Sequence, residues 1–306
     1  MGRTNFTRGN NMMYKNINGY RLYKAIENNN IIKRYQSVSH VDLLSSWKLK
    51  EKLEKFSWGE LYANIKLNNN QEILVDEVKL FQEALNIELL MLAVELLDNV
   101  CDDELDSNNL NIANTTLLVS ELICSTLRVI MNIEGYSLVH KYIQKAQIGQ
   151  WYDININAFS EDTCEKIYFE KVINKSICLF QFLTILADVA NVDFWKEFSV
   201  QYATYLQISN DLNDVMTKNK TDRTKLRPTL PLIKLKELKD NFTPIEELQH
   251  LFYDTSLSAM KEQFKLLQES GVLEYCDMLQ LKYRKNSIKL LQKQFDNSQM
   301  IKNFKL

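Results

Sequence analysis

The chain has 306 residues and a mass of 36.0 kDa, with 45% apolar residues, 25% charged residues and a formal charge of −2. That near-neutral balance gives no overall pull toward nucleic acid. Its 7 Gly and 3 Pro, against roughly 21 and 15 at average usage, are too few for the tight turns of a β-sandwich or the glycine-rich turns of a nucleotide fold.

An all-α protein of about ten helices is therefore expected. The polar first 19 residues lack an apolar stretch of signal-peptide length and read as a flexible segment before one domain over 20–306, in a cytoplasmic chain. Helical periodicity predicts helices near 20–36, 41–66 with a break near Gly59, 72–103, 112–133, 136–149, 163–190, 192–218, 245–269 and 272–295. The longest apolar run, Ala84 to Leu97, suits a helix buried on every side, and Glu88 and Glu95 make it unsuited to spanning a bilayer. Ile177 to Val192 reads as a second buried helix. The five widely spaced cysteines suit reduced core thiols, and His40, His140 and His250 lie too far apart for a zinc site.

Two acidic helix ends carry the candidate chemistry. From Glu72 to Leu110 there are eleven acidic residues and one Lys, and Asp98, Asp102 and Asp106 recur every fourth residue along one helix face. Carboxylates there face the negative end of the helix dipole and one another, so either a cation sits among them or the helix end is frayed and solvated. In YLQISNDLNDV, Asn210, Asp211 and Asp214 repeat the pattern at a second helix end. Oxygen ligands without His or Cys suit Mg²⁺, and a diphosphate is the anion that fits between such ions. Lys218, Lys220, Arg223, Lys225, Arg227 and Lys234 follow directly. Lys175, set in an apolar helix, needs either a salt-bridge partner or an anion.

These segments together resemble the trans-isoprenyl diphosphate synthase superfamily, an all-α isoprenoid-synthase bundle around a central cavity. LLDNVCD is similar to its first aspartate-rich motif, with Asn99 at the second Asp, and DDELD at Asp102–Asp106 also satisfies D-D-x-x-D. QISNDLND resembles the second, with Gln207 kept and Asn210 at the first Asp. Asp222, Arg227, Thr229 and Pro231 resemble its D-x-x-x-x-K-x-T-x-P segment, Lys175 and Ser176 its Lys-Thr pair, and Gly149 and Gln150 its G-Q pair. The resemblance implies that Asp98, Asp102, Asp211 and Asp214 are the catalytic carboxylates. It places Mg²⁺ on Asp98, Asp102, Asp106, Asn210, Asp211 and Asp214, and the diphosphate on Lys175, Arg227, Gln207, Gln150 and Lys218.

Chain-elongating members of that superfamily carry Gly-Lys-Arg and Arg-Arg-Gly segments for a second diphosphate. Nothing like them precedes Glu72, and SNNLNIANTT after Asp106 contains no Arg. The pattern is most similar to the ComQ family of isoprenyl transferases. That implies transfer of a geranyl or farnesyl group from a prenyl diphosphate to a tryptophan of a pheromone precursor peptide, by a homodimer. A terpene cyclase, a polyprenyl diphosphate synthase, a non-catalytic synthase subunit and a helical interaction protein with solvated acidic helix ends are the rival readings. Ala93 and Val94, before the first motif, imply an open cavity floor. The Pro-containing stretch 218–231 is expected to be the mobile segment that closes over substrate. The basic stretch Lys282–Lys305, with seven Lys or Arg against one Asp, reads as a solvated face, with an acidic peptide or a membrane surface as its alternative contact.

Overall fold

The structure is a computed structural model that describes residues 17–69, 76–102, 112–217, 225–239, 244–295 and 298–306. Asp106, Lys218, Lys220, Asp222 and Arg223 lie outside the described residues, as do Asp103 and Glu104. No strand occurs among the described residues, and the fold is all-α as expected. Backbone contacts group the chain into two compact units, Met1–Ser137 with Leu186–Asp188, and Leu138–Ile185 with Val189–Leu306.

In the first unit the helices are α1 (Gly19–Glu27), α2 (Asn30–Ser39), α3 (Leu43–Ser46), α4 (Leu49–Lys55), α5 (Trp58–Asn69), α6 (Glu77–Cys101) and α7 (Ile112–Ile130). The predicted helix over 20–36 is two helices because Asn29 caps the second. Its side chain accepts from the Ile31 N–H at 2.9 Å. The predicted helix over 41–66 is three, and the last break falls at Phe56–Ser57, just before Gly59. Asp76 caps α6, which is buried around most of its girth from Ala84 to Leu96, as its apolar composition requires. Leu89, Ala93 and Leu96 pack in one core with Trp47 and Leu118, so the small side chain of Ala93 is covered.

α7, rather than the Ala84–Leu97 run, is the one described helix long and apolar enough to cross a membrane by length and composition. One stripe, Thr115, Leu118, Leu122, Thr126 and Ile130, is buried, while Ile112, Leu117 and Val129 are exposed.

The second unit contains α8 (Tyr136–Asn155), α9 (Glu165–Ile167), a π-turn (Tyr168–Val172), α10 (Asn174–Ala187), a 3-10 turn (Val189–Asn191) and α11 (Val192–Met216). After these come α12 (Leu230–Lys239), α13 (Ile245–Tyr253), α14 (Leu257–Glu269), α15 (Val272–Gln294) and α16 (Ser298–Asn303). Sequence periodicity misses α12, whose Pro231 sits harmlessly in the first turn, and the short α16. It also merges α13 with α14, which Ser256 separates by capping Ala259 N–H. One side of α11 is packed core: Trp195 meets the Phe304 ring at a tilt, Phe198 and Tyr202 meet it edge to face, and the Tyr202 hydroxyl donates to the Phe304 carbonyl at 2.7 Å. The cysteines are free; Cys178 and Cys276 are buried, but Cys124 is exposed rather than a core thiol. All seven basic residues of Lys282–Lys305 are exposed, as a solvated face requires.

Gly59 sits where a Cβ would lie 2.3 Å from the Ala84 carbonyl oxygen, so α5 enters against the backbone of α6. That approach brings Gly59 N–H (2.8 Å) and the Ser57 hydroxyl (2.5 Å) onto the buried carboxyl of Glu88. Burial outweighs these two donors and pushes the Glu88 carboxyl from 4.5 up to about 7. The folded state therefore holds its proton more tightly than the unfolded chain. The contribution is complete below about 4.5 and is lost as pH rises through about 7. Glu88→Gln, which keeps an acceptor for both donors, should match the wild type near pH 4.5. It should exceed wild-type stability at pH 8 by on the order of 3 kcal/mol, read from urea unfolding at both pH values. Equal stability of the two proteins at pH 8 would contradict this assignment.

Candidate functional site

The geometry of the second unit begins with a glycine. A Cβ on Gly149 would lie 2.3 Å from the Lys175 backbone N, so α8 and α10 touch main chain to main chain. One turn beyond Gly149, Asp153 meets the Lys175 ammonium at 2.6 Å, both side chains about one-fifth exposed (20% and 19%). Of the two partners that a Lys in an apolar helix requires, the fold supplies a carboxylate. Asp153 is the residue sequence reasoning missed. Its signal was present, because i+4 from a glycine at a helix contact faces the same neighbour. Gln150 is half-buried on α8.

The polar side of α11 is a relay. Ser176 donates to Gln207 Oε1 at 2.7 Å, and Gln207 Nε2 donates to Asp211 Oδ1 at 3.0 Å. Asp211 Oδ2 accepts from the Tyr168 hydroxyl at 2.8 Å and from the Leu230 N–H at 2.9 Å. Tyr168 opens the π-turn, in which the Ile173 N–H reaches back to the Tyr168 carbonyl at 3.1 Å. Burial raises the Asp211 carboxyl to about 7 against the pull of these donors, and Asp153 adds to the rise by repulsion. Burial likewise holds the Tyr168 hydroxyl well above its usual range.

The stretch expected to be mobile is anchored wherever it is described. Leu226 through Leu230 are all buried. Leu226 adopts φ 53°, a left-handed conformation rare outside glycine, and its carbonyl accepts from Ala158 N–H at 2.8 Å. The Arg227 guanidinium donates to the Ile154 carbonyl at 2.8 Å, at the C-terminal end of α8 where orphan carbonyls face a favourable cation. Lys234 lies between Glu165 (2.8 Å) and Glu237 (2.7 Å), and Lys236 donates to the Glu161 and Thr163 carbonyls. Arg227 and Lys234, two of the cations assembled in sequence, and the neighbouring Lys236 thus have partners within the fold.

In the first unit, Asp98 and Asp102 lie one turn apart at the end of α6, both half-buried, with no basic residue in the last turn of that helix. This donor set fits a hard cation: two carboxylates add to the negative end of the helix dipole. The second motif fits one less well. Asp211 has both oxygens engaged by protein donors, Asp214 is buried, and the exposed positions Asn210 and Asn213 carry neutral amides. Spacing along α11 gives no sign of the three donors that converge on Asp211. Gln207, expected to bind diphosphate, is also occupied within the relay. Among the described residues no group of three or more His, Cys, Asp or Glu side chains gathers at metal-binding distance.

No family model and no curated protein matches the chain. Solved structures do. A geranylgeranyl pyrophosphate synthase from Lactobacillus brevis superposes with TM-score 0.68 at 13% identity, over 93% of this chain and 94% of that one. Heptaprenyl diphosphate synthase from Staphylococcus aureus gives 0.65 at 16% identity, over 90% and 92%. A polyprenyl synthase from Caulobacter crescentus, complexed with calcium and isoprenyl diphosphate, gives 0.63 at 13%, over 90% and 92%. The chain has the all-α fold of these prenyl diphosphate synthases.

Proposed function

We propose that the protein is a cytoplasmic peptide prenyltransferase. It transfers a geranyl or farnesyl group from a prenyl diphosphate to a tryptophan of a pheromone precursor peptide. The observation that carries this reading is the commitment of Arg227, Lys234 and Lys236 to carbonyls and carboxylates of the protein itself. Together with a segment after Asp106 that contains no Arg, this leaves fixed positive charge suited to one diphosphate rather than two. An acceptor with no diphosphate of its own, such as an indole ring, suits that balance. The fold supports prenyl transfer, since its relatives are synthases of prenyl diphosphates.

In this reading Asp98 and Asp102 hold Mg²⁺, with Asp106 beyond the described residues, and the ion when bound supplies charge to the leaving diphosphate. Within the second unit Lys175 provides fixed positive charge, with Asp153 holding its ammonium in place. The allylic C–O bond breaks and its electron pair leaves on the diphosphate. A bond forms from the indole ring to the allylic carbon, and the ring releases a proton.

The rival reading, a polyprenyl diphosphate synthase, is favoured by the names of the structural relatives. Incubation with Mg²⁺ and labelled farnesyl or geranyl diphosphate, with a Trp-containing peptide or with isopentenyl diphosphate, separates the two. Prenylated peptide is expected, and a lengthened prenyl diphosphate without peptide modification would sink the proposal. Lys175→Ala should lower turnover about 10²-fold. Asp153→Asn removes the competing carboxylate and should tighten inorganic diphosphate binding about fivefold by calorimetry. We further propose a homodimer through the outward apolar residues of α7, and Leu117→Glu, at a side chain 70% exposed, should halve the mass seen by light scattering.

A further inference from the structure

We propose that Asp211 is a clasp that positions the Arg227 segment, not a ligand of a metal ion; this rests on reading the α11 end as part of a diphosphate site. Two observations carry it. The first is the donor count. An ionised carboxylate that binds a metal must offer it a lone pair in an open direction. Here Oδ2 is shared between the Tyr168 hydroxyl and the Leu230 N–H, Oδ1 takes Gln207 Nε2, and with the residue 3% exposed the lone pair left on Oδ1 is buried.

The second observation is at the far end of the clasp. Leu230 begins α12, so its N–H is one of the first-turn donors that a capping side chain ordinarily satisfies. Thr229, the residue immediately before the helix and a good capping type, leaves its hydroxyl buried without a hydrogen bond. The cap is supplied instead by Asp211, from another helix. Through that bond and the Tyr168 hydroxyl, one carboxyl group joins α11 to the π-turn and to the start of α12. Three residues before Leu230, Arg227 closes the C-terminal end of α8, which carries Asp153, the partner of Lys175 on α10. Asp211 thus acts on the anion-facing charge through the backbone between Leu230 and Arg227.

The relay makes the test clean. In Asp211→Asn the side-chain oxygen still accepts from Tyr168 and Leu230. The new amide donates toward Gln207, whose own amide can turn over, so that its oxygen accepts from the new amide and its nitrogen donates to the Ser176 hydroxyl. Tyr168, Leu230 and Gln207 keep their partners, while the negative charge is gone. The measurements are Mn²⁺ affinity by titration calorimetry without substrate, and hydrogen exchange at the Leu230 amide. The clasp requires Asp211→Asn to fold with Mn²⁺ affinity within twofold of wild type and unchanged protection at Leu230. It requires Asp211→Ala to expose Leu230 to at least tenfold faster exchange, or to fail to fold where Asn succeeds. A tenfold or greater loss of Mn²⁺ affinity in Asp211→Asn, failure of that variant to fold, or unchanged Leu230 exchange in a folded Asp211→Ala would each overturn it. Neither measurement uses a prenyl donor or a peptide, so the clasp stands or falls separately from the transfer reaction.

Discussion

Contact of helix backbone with helix backbone is the constraint on which both units are built. A glycine at Gly59 admits α5 to the main chain of α6, and one at Gly149 admits α8 to α10. Each contact then sets a charged residue. The first delivers two donors to the buried carboxyl of Glu88, and the second carries Asp153 to Lys175. A side chain at either glycine would push the helix axes apart by far more than a hydrogen bond tolerates, so the polar geometry follows from the packing.

Charge is then distributed by cost. An ion removed from water without partners is penalised by several kcal/mol, and the second unit answers by giving its inward cations protein partners. Arg227 and Lys236 take backbone carbonyls, while Lys234 takes two carboxylates and lies over the Tyr275 ring. Lys175 takes the Asp153 carboxylate, and both side chains of that pair are about one-fifth exposed. A partly exposed ion pair is the physical setting in which partners exchange readily.

The helical class was legible in the shortage of turn residues, and α6, α7, α11 and α15 were legible within a few residues at each end because their apolar periodicity is long. The misread boundaries share one cause. With so little glycine and proline, this chain ends and starts helices with Asn29, Asp42, Asp76 and Ser256, whose capping bonds leave no gap in the apolar pattern. The site was legible as a set of positions and not as a set of roles. Lys175 and Ser176, Gln207 and Asp211 do come together in the second unit. Whether a carboxylate points to an ion or to a backbone N–H depends on long-range partners, and spacing within one helix carries no record of them. The same reason explains Arg227, a cation by sequence and a helix cap by structure.

The π-turn at Tyr168–Val172 sets a phase. A wide turn carries one residue more than an α-helical turn would at that point, so everything after it is rotated about the helix axis relative to everything before it. Tyr168 at the start of the turn addresses α11, and Lys175 after it addresses α8. Closing the turn to ordinary α-helix by loss of one residue would leave the helix intact but swing the two side chains apart by roughly 100°. The length of this one turn, more than the identity of its residues, lets a single stretch of chain serve two neighbours at once.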